Sequence, residues 1–490
     1  MLGIILAAGI GSRLRPMTNK KPKCLVKSAG KPIIQYQIDA YRKAGINEII
    51  IIIGYEGKAI KDYFKHTKDI KITFIENKYY EHTNNMFSLY LANKIVKGKK
   101  FILNNADLCI DNTIIKTLID HPSHDAIAID TSVYNDESMK VSISNEGIIN
   151  DISKSIGRDS SHGCSIDFYK FSEEAGRIFF EEITKIIENN SNLTDWTEVA
   201  LQSLFKEGKL NFHPVNIAGR KWVEVDNYDD LALSDRIFSG FDEAISKIKN
   251  VYFDLDGTIY IGSSPIPGAK ETICKLKDQG KNIYYLSNNS SKNKLDYIKL
   301  LDSMGITATS DNIILSTDSV VDFLKKNNVK KIHVLGTKAL SGILYENGFD
   351  INTLQPEYVV IGYDTELTYN KLKEACKYIN SGVDYIATHC DMFCPSEYGP
   401  IPDIGSIVEM LKATTQRNPS AVFGKPFPGM IKECNPEESL IIGDRLHTDI
   451  LMAKKIGCLG LLVLTGETTR DILDTSTVQP DFTLKSVADI

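Results

Sequence analysis

The sequence predicts an α/β protein built from two successive parallel-sheet units. Two observations carry this expectation. Short apolar runs at residues 2–8, 48–53, 70–75 and 100–103 alternate with stretches of helical periodicity, the pattern of buried strands joined by crossover helices. Near the middle of the 490 residues a new apolar run, Val251 to Asp254, ends abruptly in acid, as a first strand would. A chain of this length also exceeds one ordinary domain.

The first apolar run empties into Gly9-Ile10-Gly11-Ser12-Arg13-Leu14-Arg15-Pro16, followed by Lys20, Lys21 and Lys23. Glycines let the backbone approach a ligand and aim amide donors at phosphate oxygens, and the five cations add charge. Residues 31–44 read as a helix, and 84–89 as the start of another with Asn84 and Asn85 at its N-terminus. The fourth run ends at Asn104, Asn105 and Asp107. Further on, Trp222 to Asp226 alternates and places Glu224 and Asp226 on one face. In a parallel sheet, ligands gather at strand C-termini, where the basic loop, Asn84 and Asp107 fall. Asp107 and Asp226 could jointly hold Mg²⁺ against nucleotide phosphates.

Residues 229–249 read as helical with a break at Ser239-Gly240. We therefore expect a first domain over 1–239, a linker over 240–250 and a second domain over 251–490.

In the second domain, Asp254 and Asp256 bracket one apolar residue, so both carboxylates point the same way in extended chain. Gly257 permits a turn and Thr258 supplies a hydroxyl. Residues 281–286 lead to Ser287-Asn288-Asn289, residues 421–423 to Gly424-Lys425-Pro426, and residues 439–442 to Gly443-Asp444-Arg445, with Asp449 beyond. Carboxylates, a hydroxyl and a lysine at successive strand ends suit phosphoryl chemistry with a hard cation. About 140 residues separate Ser287 from Lys425, far more than a crossover needs, and they carry strands of their own at 331–335, 358–361 and 383–388.

Composition narrows the rest. Hydrophobic residues at 42% and charged residues at 24% are ordinary for a globular chain, and a net charge of −6 argues against nucleic acid as a partner. The nine cysteines include no CxxC pair and read as reduced. His389 beside Cys390 and Cys394 offers zinc-type donors, with no further ligand legible. The opening apolar run is too short for a membrane span and no signal peptide precedes it, so the protein is expected to be cytoplasmic, without membrane contact, and capable of homo-oligomerisation.

These motifs carry two resemblances. Residues 5–23 resemble the signature of sugar-phosphate nucleotidyltransferases, and the Asn84–Leu89 segment is most similar to the phosphocholine cytidylyltransferase-type branch, over residues 1–239. That implies a Rossmann-like fold in which a substrate phosphate attacks the α-phosphorus of CTP and releases pyrophosphate. Arg13 and Lys23 would stabilise phosphate charge, Ala7, Ala8, Gly9, Gly11 and Asn105 would line the nucleotide, and Asp107 and Asp226 would bind Mg²⁺. For the acceptor, Lys140 and Trp196 are the candidate substrate residues. Lys140, with no second aromatic nearby, favours a polyol or sugar-alcohol phosphate; phosphocholine and phosphonates are the alternatives.

Residues 250–490 resemble haloacid dehalogenase-like phosphatases, with a large α/β cap of the class II-A type at about 315–405 on a Rossmannoid core. The family implies Asp254 as nucleophile, Asp256 as general acid–base, and Ser287, Asn288 and Lys425 as phosphate ligands. Mg²⁺ would be held by Asp254, the Asp256 carbonyl and Asp444, and Asp449 would orient Lys425 or a metal-bound water. Asp391 and the loop 392–398 would face the leaving group. His389 stands where the family commonly has asparagine. A bifunctional enzyme making CDP-activated precursors for surface glycans is the leading expectation. One half serving as a silent nucleotide- or phosphate-binding regulator is the alternative from another class.

Overall fold

The computed structural model describes residues 1–189, 192–394 and 399–490. The chain divides into two compact units, Met1–Ser239 and Gly240–Ile490.

The first unit is organised on a nine-stranded sheet. Leu2–Ala7 lies inside it, parallel to Glu48–Ile53 on one side and Phe101–Asn105 on the other. Lys71–Glu76 extends the parallel part. Every residue of Leu2–Ala7 is buried. Successive side chains go to opposite faces: Ile4 and Leu6 join one core with Phe101, Tyr169 and Leu201, whereas Ile5 and Ala7 join the other with Ile34, Tyr41 and Ile51. A strand covered on both faces has no use for polar residues, which is why it reads as an unbroken apolar run.

The sheet is not wholly parallel. Gly163–Phe171 pairs antiparallel with Phe101–Asn105, and it carries Lys140–Ile143, Ile149–Ser153 and Ala126–Asp130 with it. A short antiparallel pair, Leu108–Ile110 with Trp222–Glu224, stands beside the sheet in the register Leu108↔Glu224. Ile33–Lys43 starts two residues later than the periodicity indicates, because Lys31–Pro32 pairs with Lys27–Ser28. The helical stretch after the last strand is two helices, Tyr228–Ser239 and Phe241–Lys247, parted at Gly240 with φ 79°.

The second unit contains a six-stranded parallel sheet in the order Ile313–Leu315, Asn282–Ser287, Asn250–Asp254, Ser439–Gly443, Leu459–Val463, Phe482–Leu484. Asn250–Asp254 is interior, so its C-terminal end is flanked by those of two neighbours. A separate four-stranded parallel sheet comprises Ile332–Leu335, Tyr358–Ile361, Asp384–Ala387 and Ala421–Val422. The last of these corrects the cap boundary read at about 405. Ala421–Val422 belongs to the inserted sheet because Ile386 and Ala387 supply its ladder, so Lys425 follows directly on a cap strand.

Ile51 is fully buried, with strands on both sides of its own. Ile51→Ala should destabilise the first unit by about 2–5 kcal/mol, read as a lowered urea midpoint with little change in slope.

Candidate active sites

In the first unit a cleft of about 410 Å³ opens where Leu2–Ala7 and Phe101–Asn105 end. Ala7, Ala8, Gly9, Gly11, Arg13, Lys23 and Asn105 all line it. Gly11 has φ 67°, and a Cβ there would stand 2.8 Å from Lys23 Cβ, so a side chain is excluded on two counts. Nothing lies within 4 Å of the Cβ position of Gly9, which leaves its backbone open to a ligand.

Asp107 follows the strand, and the short antiparallel pair brings Glu224 and Asp226 to it, with Val225 N donating to Asp107 O at 2.9 Å. Lys23 Nζ donates to Asp107 Oδ2 at 2.8 Å and to Asp226 Oδ1 at 2.6 Å, and Arg13 Nη2 lies 3.0 Å from Asp226 Oδ2. Burial alone would lower the Lys23 pKa, but the two carboxylates outweigh it and raise it. Burial likewise works to raise Asp226, and Lys23 and Arg13 bring it below its usual value. For Glu224 the balance goes the other way: burial, then Asp107, Asp167 and Asp226, push it up to about 9 against the weaker pull of Lys23. One ligand oxygen each of Asp107, Glu224 and Asp226 fall within 4.8 Å of one another, and Asp107 Oδ1 is buried without a hydrogen-bond partner. An all-oxygen donor set short of positive charge fits Mg²⁺. Glu224 is the member of this group that the pair Asp107/Asp226 left out.

Three more cleft residues were not singled out from sequence: Lys154, Asp167 and Glu198. Asp167 sits at φ 54° where the register of Gly163–Phe171 shifts against Ala126–Asp130. Tyr169 Oη lies 2.9 Å from Asp167 Oδ1 and 2.8 Å from Glu198 Oε1, and Asn105 Nδ2 donates to Asp167 Oδ2 at 2.9 Å. Burial and the neighbouring Glu198 push Asp167 up to about 7, and burial raises Glu198. A polar residue every second position, Ser165, Asp167, Tyr169, was the available signal.

Trp196 is 44% exposed and lines the cleft, with Lys154 Nζ 4.9 Å from its ring centroid. Lys140 requires a correction. It is fully buried, its Nζ donates to the carbonyls of Asn135 and Asp136, and it does not line the cleft. The strand Lys140–Ile143 turns this side chain into the protein, where a lysine is tolerated only by saturating backbone acceptors.

In the second unit, Asp254 ends its strand, 8% exposed. Lys425 Nζ bonds Asp254 Oδ1 and, at 2.7 Å, Asp449 Oδ1. Burial pushes Asp254 up to about 6, against the pull of Lys425. Burial would lower Lys425, but Asp254 and Asp449 raise it. Asp444, raised by burial and by Asp254 and Asp449, takes Glu467 N on Oδ2 at 2.6 Å and leaves Oδ1 buried and unpartnered. Ligand oxygens of Asp254, Asp444 and Asp449 lie within 4.8 Å of one another, again a set that fits Mg²⁺. Gly257, at φ 83°, carries the chain past this group; a Cβ there would meet Asp444 Oδ2 at 2.5 Å.

The Asp256 carboxylate is exposed and stands outside that trio, which leaves its carbonyl as the atom it could offer a metal. Ser287 Oγ is 3.0 Å from Tyr297 Oη. The Asn288 side chain is committed elsewhere: Nδ2 donates to Asp391 and to Lys425 O, and Oδ1 accepts from Lys425 N at 2.7 Å. As a phosphate ligand that side chain is corrected to a tie between the Ser287 loop, Asp391 and Lys425. Asp391 also has Arg445 Nη1 at 3.6 Å. Of the loop 392–398, residues 395–398 lie outside the described residues.

Comparison with known proteins agrees with this division. Residues 2–141 match the family model of nucleotidyl transferases, 251–350 that of haloacid dehalogenase-like hydrolases, and 422–490 a HAD-hydrolase-like model. The chain is 30% identical over 249 residues to the ribonucleotide monophosphatase NagD of Escherichia coli K12, covering 98% of that protein and 50% of this one. Through its C-terminal half the chain belongs to the haloacid dehalogenase-like hydrolases. An acid sugar phosphatase of Staphylococcus aureus is 30% identical over 251 residues, 96% of its length and 50% of this chain. A solved 4-nitrophenylphosphatase of Thermotoga maritima is 37% identical, with 97% of it and 50% of this chain covered and a TM-score of 0.49. The HAD-like half is thus preceded by a nucleotidyl transferase domain in the same chain. Among the described residues no helix is long and apolar enough to cross a membrane.

The Asp167 carboxyl is stabilising when protonated. Its folded pKa of about 7 exceeds the ordinary 3.8, so that contribution is complete below pH 3.8 and is lost as pH rises through 7. Asp167→Asn should therefore raise the melting temperature of the first unit at pH 8 and change it little at pH 4, measured by scanning calorimetry at both values.

Proposed function

We infer that the protein is bifunctional: a Mg²⁺-dependent CTP:phospho-alcohol cytidylyltransferase joined to a Mg²⁺-dependent phosphatase acting on a small phosphate ester. The observation that supports it is the repeated device at the strand ends: a lysine held between paired carboxylates, Lys23 with Asp107 and Asp226, and the buried Lys425 with Asp254 and Asp449.

In the transferase reading, CTP lies along Ala7–Gly11 and Asn105. Arg13 and Lys23 counter the charge that builds on the α- and β-phosphates as the acceptor phosphate attacks and pyrophosphate leaves. Asp107, Asp226 and Glu224 would hold Mg²⁺, which when bound supplies positive charge to the same phosphates. The acceptor oxygen bonds to the α-phosphorus as the bond to pyrophosphate breaks, and the protein contributes positioning and electrostatics without bonding covalently to the nucleotide. In the phosphatase reading, Asp254 attacks phosphorus to form an aspartyl-phosphate, and Asp256, exposed beside it, protonates the leaving oxygen and then activates water. Lys425 and Ser287 hold the phosphoryl oxygens, and Asp254, the Asp256 carbonyl and Asp444 would hold Mg²⁺, which when bound supplies positive charge there.

A polyol or sugar-alcohol phosphate is the acceptor we favour. Lys140 no longer supports it, but Lys154 takes over: its ammonium lies over Trp196 and supplies the cation that an anionic, hydroxylated substrate needs. The Asp167–Tyr169–Glu198 group, holding a proton between its carboxyls, can both donate to and accept from hydroxyls. Phosphocholine is the second reading, favoured by the exposed Trp196 face and the acidic pair. Its weakness is that Lys154 already occupies that face. Feeding surface-glycan assembly with a CDP-activated alcohol would suit either substrate.

Pyrophosphate release from CTP and Mg²⁺ should appear with one of a panel of polyol, choline and phosphonate substrates; turnover with none overturns the transferase reading. Lys154→Ala should raise the acceptor KM about tenfold and leave the CTP KM unchanged. Asp254→Asn should lower 4-nitrophenyl phosphate hydrolysis at least about a thousandfold while sparing pyrophosphate release. Loss of both activities would count against two independent sites.

A further inference from the structure

His389 is 1% exposed, and its Nε2 has no hydrogen-bond partner. It follows the cap strand Asp384–Ala387. Asp403 caps the helix Ile404–Thr415 through Ile404 N at 2.7 Å. The antiparallel pair Phe393–Cys394 with Ile401–Pro402, together with Gly405 N donating to Asp391 O at 2.8 Å and Asp403 N to Met392 O at 3.1 Å, holds these two segments against each other. Asp403 Oδ1 then lies 3.6 Å from His389 Nε2, and Asp391 Oδ2 lies 3.5 Å from Nδ1. A ligand atom from each of the three residues falls within 4.8 Å of the others.

These separations are too long for strong hydrogen bonds. They suit an ion. Two ligands on one tetrahedral zinc, each at about 2.1 Å, stand about 3.4 Å apart. We propose that His389, Asp403 and Asp391 form a second metal site in the phosphatase half, selective for a borderline divalent cation such as Zn²⁺.

Chemistry separates this site from the other two acidic groups. Those offer carboxylate oxygens alone, which suit Mg²⁺; imidazole shifts preference toward zinc and later first-row metals. Cys394 Sγ, 2.8 Å from Asp403 Oδ2, is an additional soft donor at the same place. Asp391 also accepts from Asn288, whose amide is bonded to the Lys425 backbone. An ion here would therefore fix a residue that is tied to the phosphoryl-transfer lysine.

The test uses the whole chain, stripped with chelator, saturated with Mg²⁺ and then given Zn²⁺. Zinc-edge X-ray absorption should show an imidazole nitrogen in the zinc shell, a signature that the other two acidic groups lack the residues to produce. His389→Asn should remove that signature and lower zinc uptake by one ion per chain. Asp403→Asn, which keeps the helix cap, should weaken zinc binding at least about tenfold. A zinc shell of oxygen alone in the unmodified protein, or equal zinc uptake by protein and His389→Asn, overturns the proposal. The absorption measurement needs no variant and so stands even if a substitution impairs folding. It also does not depend on which phosphate ester the enzyme hydrolyses.

Discussion

An ammonium held between two carboxylates, buried in the second half and partly buried in the first, is the interaction on which each half depends. Lys425 is 3% exposed, and around it Asp254, Asp444 and Asp449 are all at or below 8%. Three carboxylates in such a volume cannot all ionise without a counter-charge, since desolvation and mutual repulsion both favour the protonated forms. Asp254 and Asp444 are indeed raised despite Lys425. One lysine neutralises part of the group and orients Asp254 through a charge-assisted hydrogen bond. The remaining deficit is what a divalent cation would fill. In the first half the same reasoning applies to Lys23, with Glu224 carrying the deficit.

The sheets explain why these groups can exist at all. Parallel strands end together, and the residues just past their ends are freed from the ladder while the apolar strands behind them keep water out. Asp254 ends a strand whose neighbours on both sides end at Ser287 and Gly443. Asp444 is thereby delivered next to Asp254 by register alone. In the first half Asp107 is delivered in this way. Glu224 and Asp226 arrive by a different route, the two-stranded pair beside the sheet.

That difference sets what could be read from sequence. Strands buried on both faces announce themselves as apolar runs, so the parallel strands that end in the acids were legible within a residue or two, whereas Ile313–Leu315, Leu459–Val463 and Phe482–Leu484, which carry none of those acids, were not read. The antiparallel arm was not, because two of its strands, Lys140–Ile143 and Ile149–Ser153, are partly exposed and its pairings shift register. Asp167 lies on that arm at a left-handed backbone position, a conformation that sequence spacing does not encode. Lys140 was misread for the same reason: without the register of its strand, the direction of its side chain was open. Asn288 was read as a phosphate ligand because it follows Ser287, yet its amide is consumed by Asp391 and by the Lys425 backbone, contacts across more than 100 residues.

The Asn288 contacts bear on how the phosphatase half works as a machine. Asp391 lies just past the strand Asp384–Ala387 and Lys425 just past Ala421–Val422, so the ends of two strands of the four-stranded sheet are joined through the Asn288 amide. A leaving group that displaced Asp391 from Asn288 would release one of the restraints on the Lys425 loop. One that bridged Asp391 and Arg445, 3.6 Å apart, would tighten it. A ligand that moved Asp391 would therefore act on the placement of Lys425 through Asn288. A cap residue need not touch phosphorus to alter the rate of its transfer.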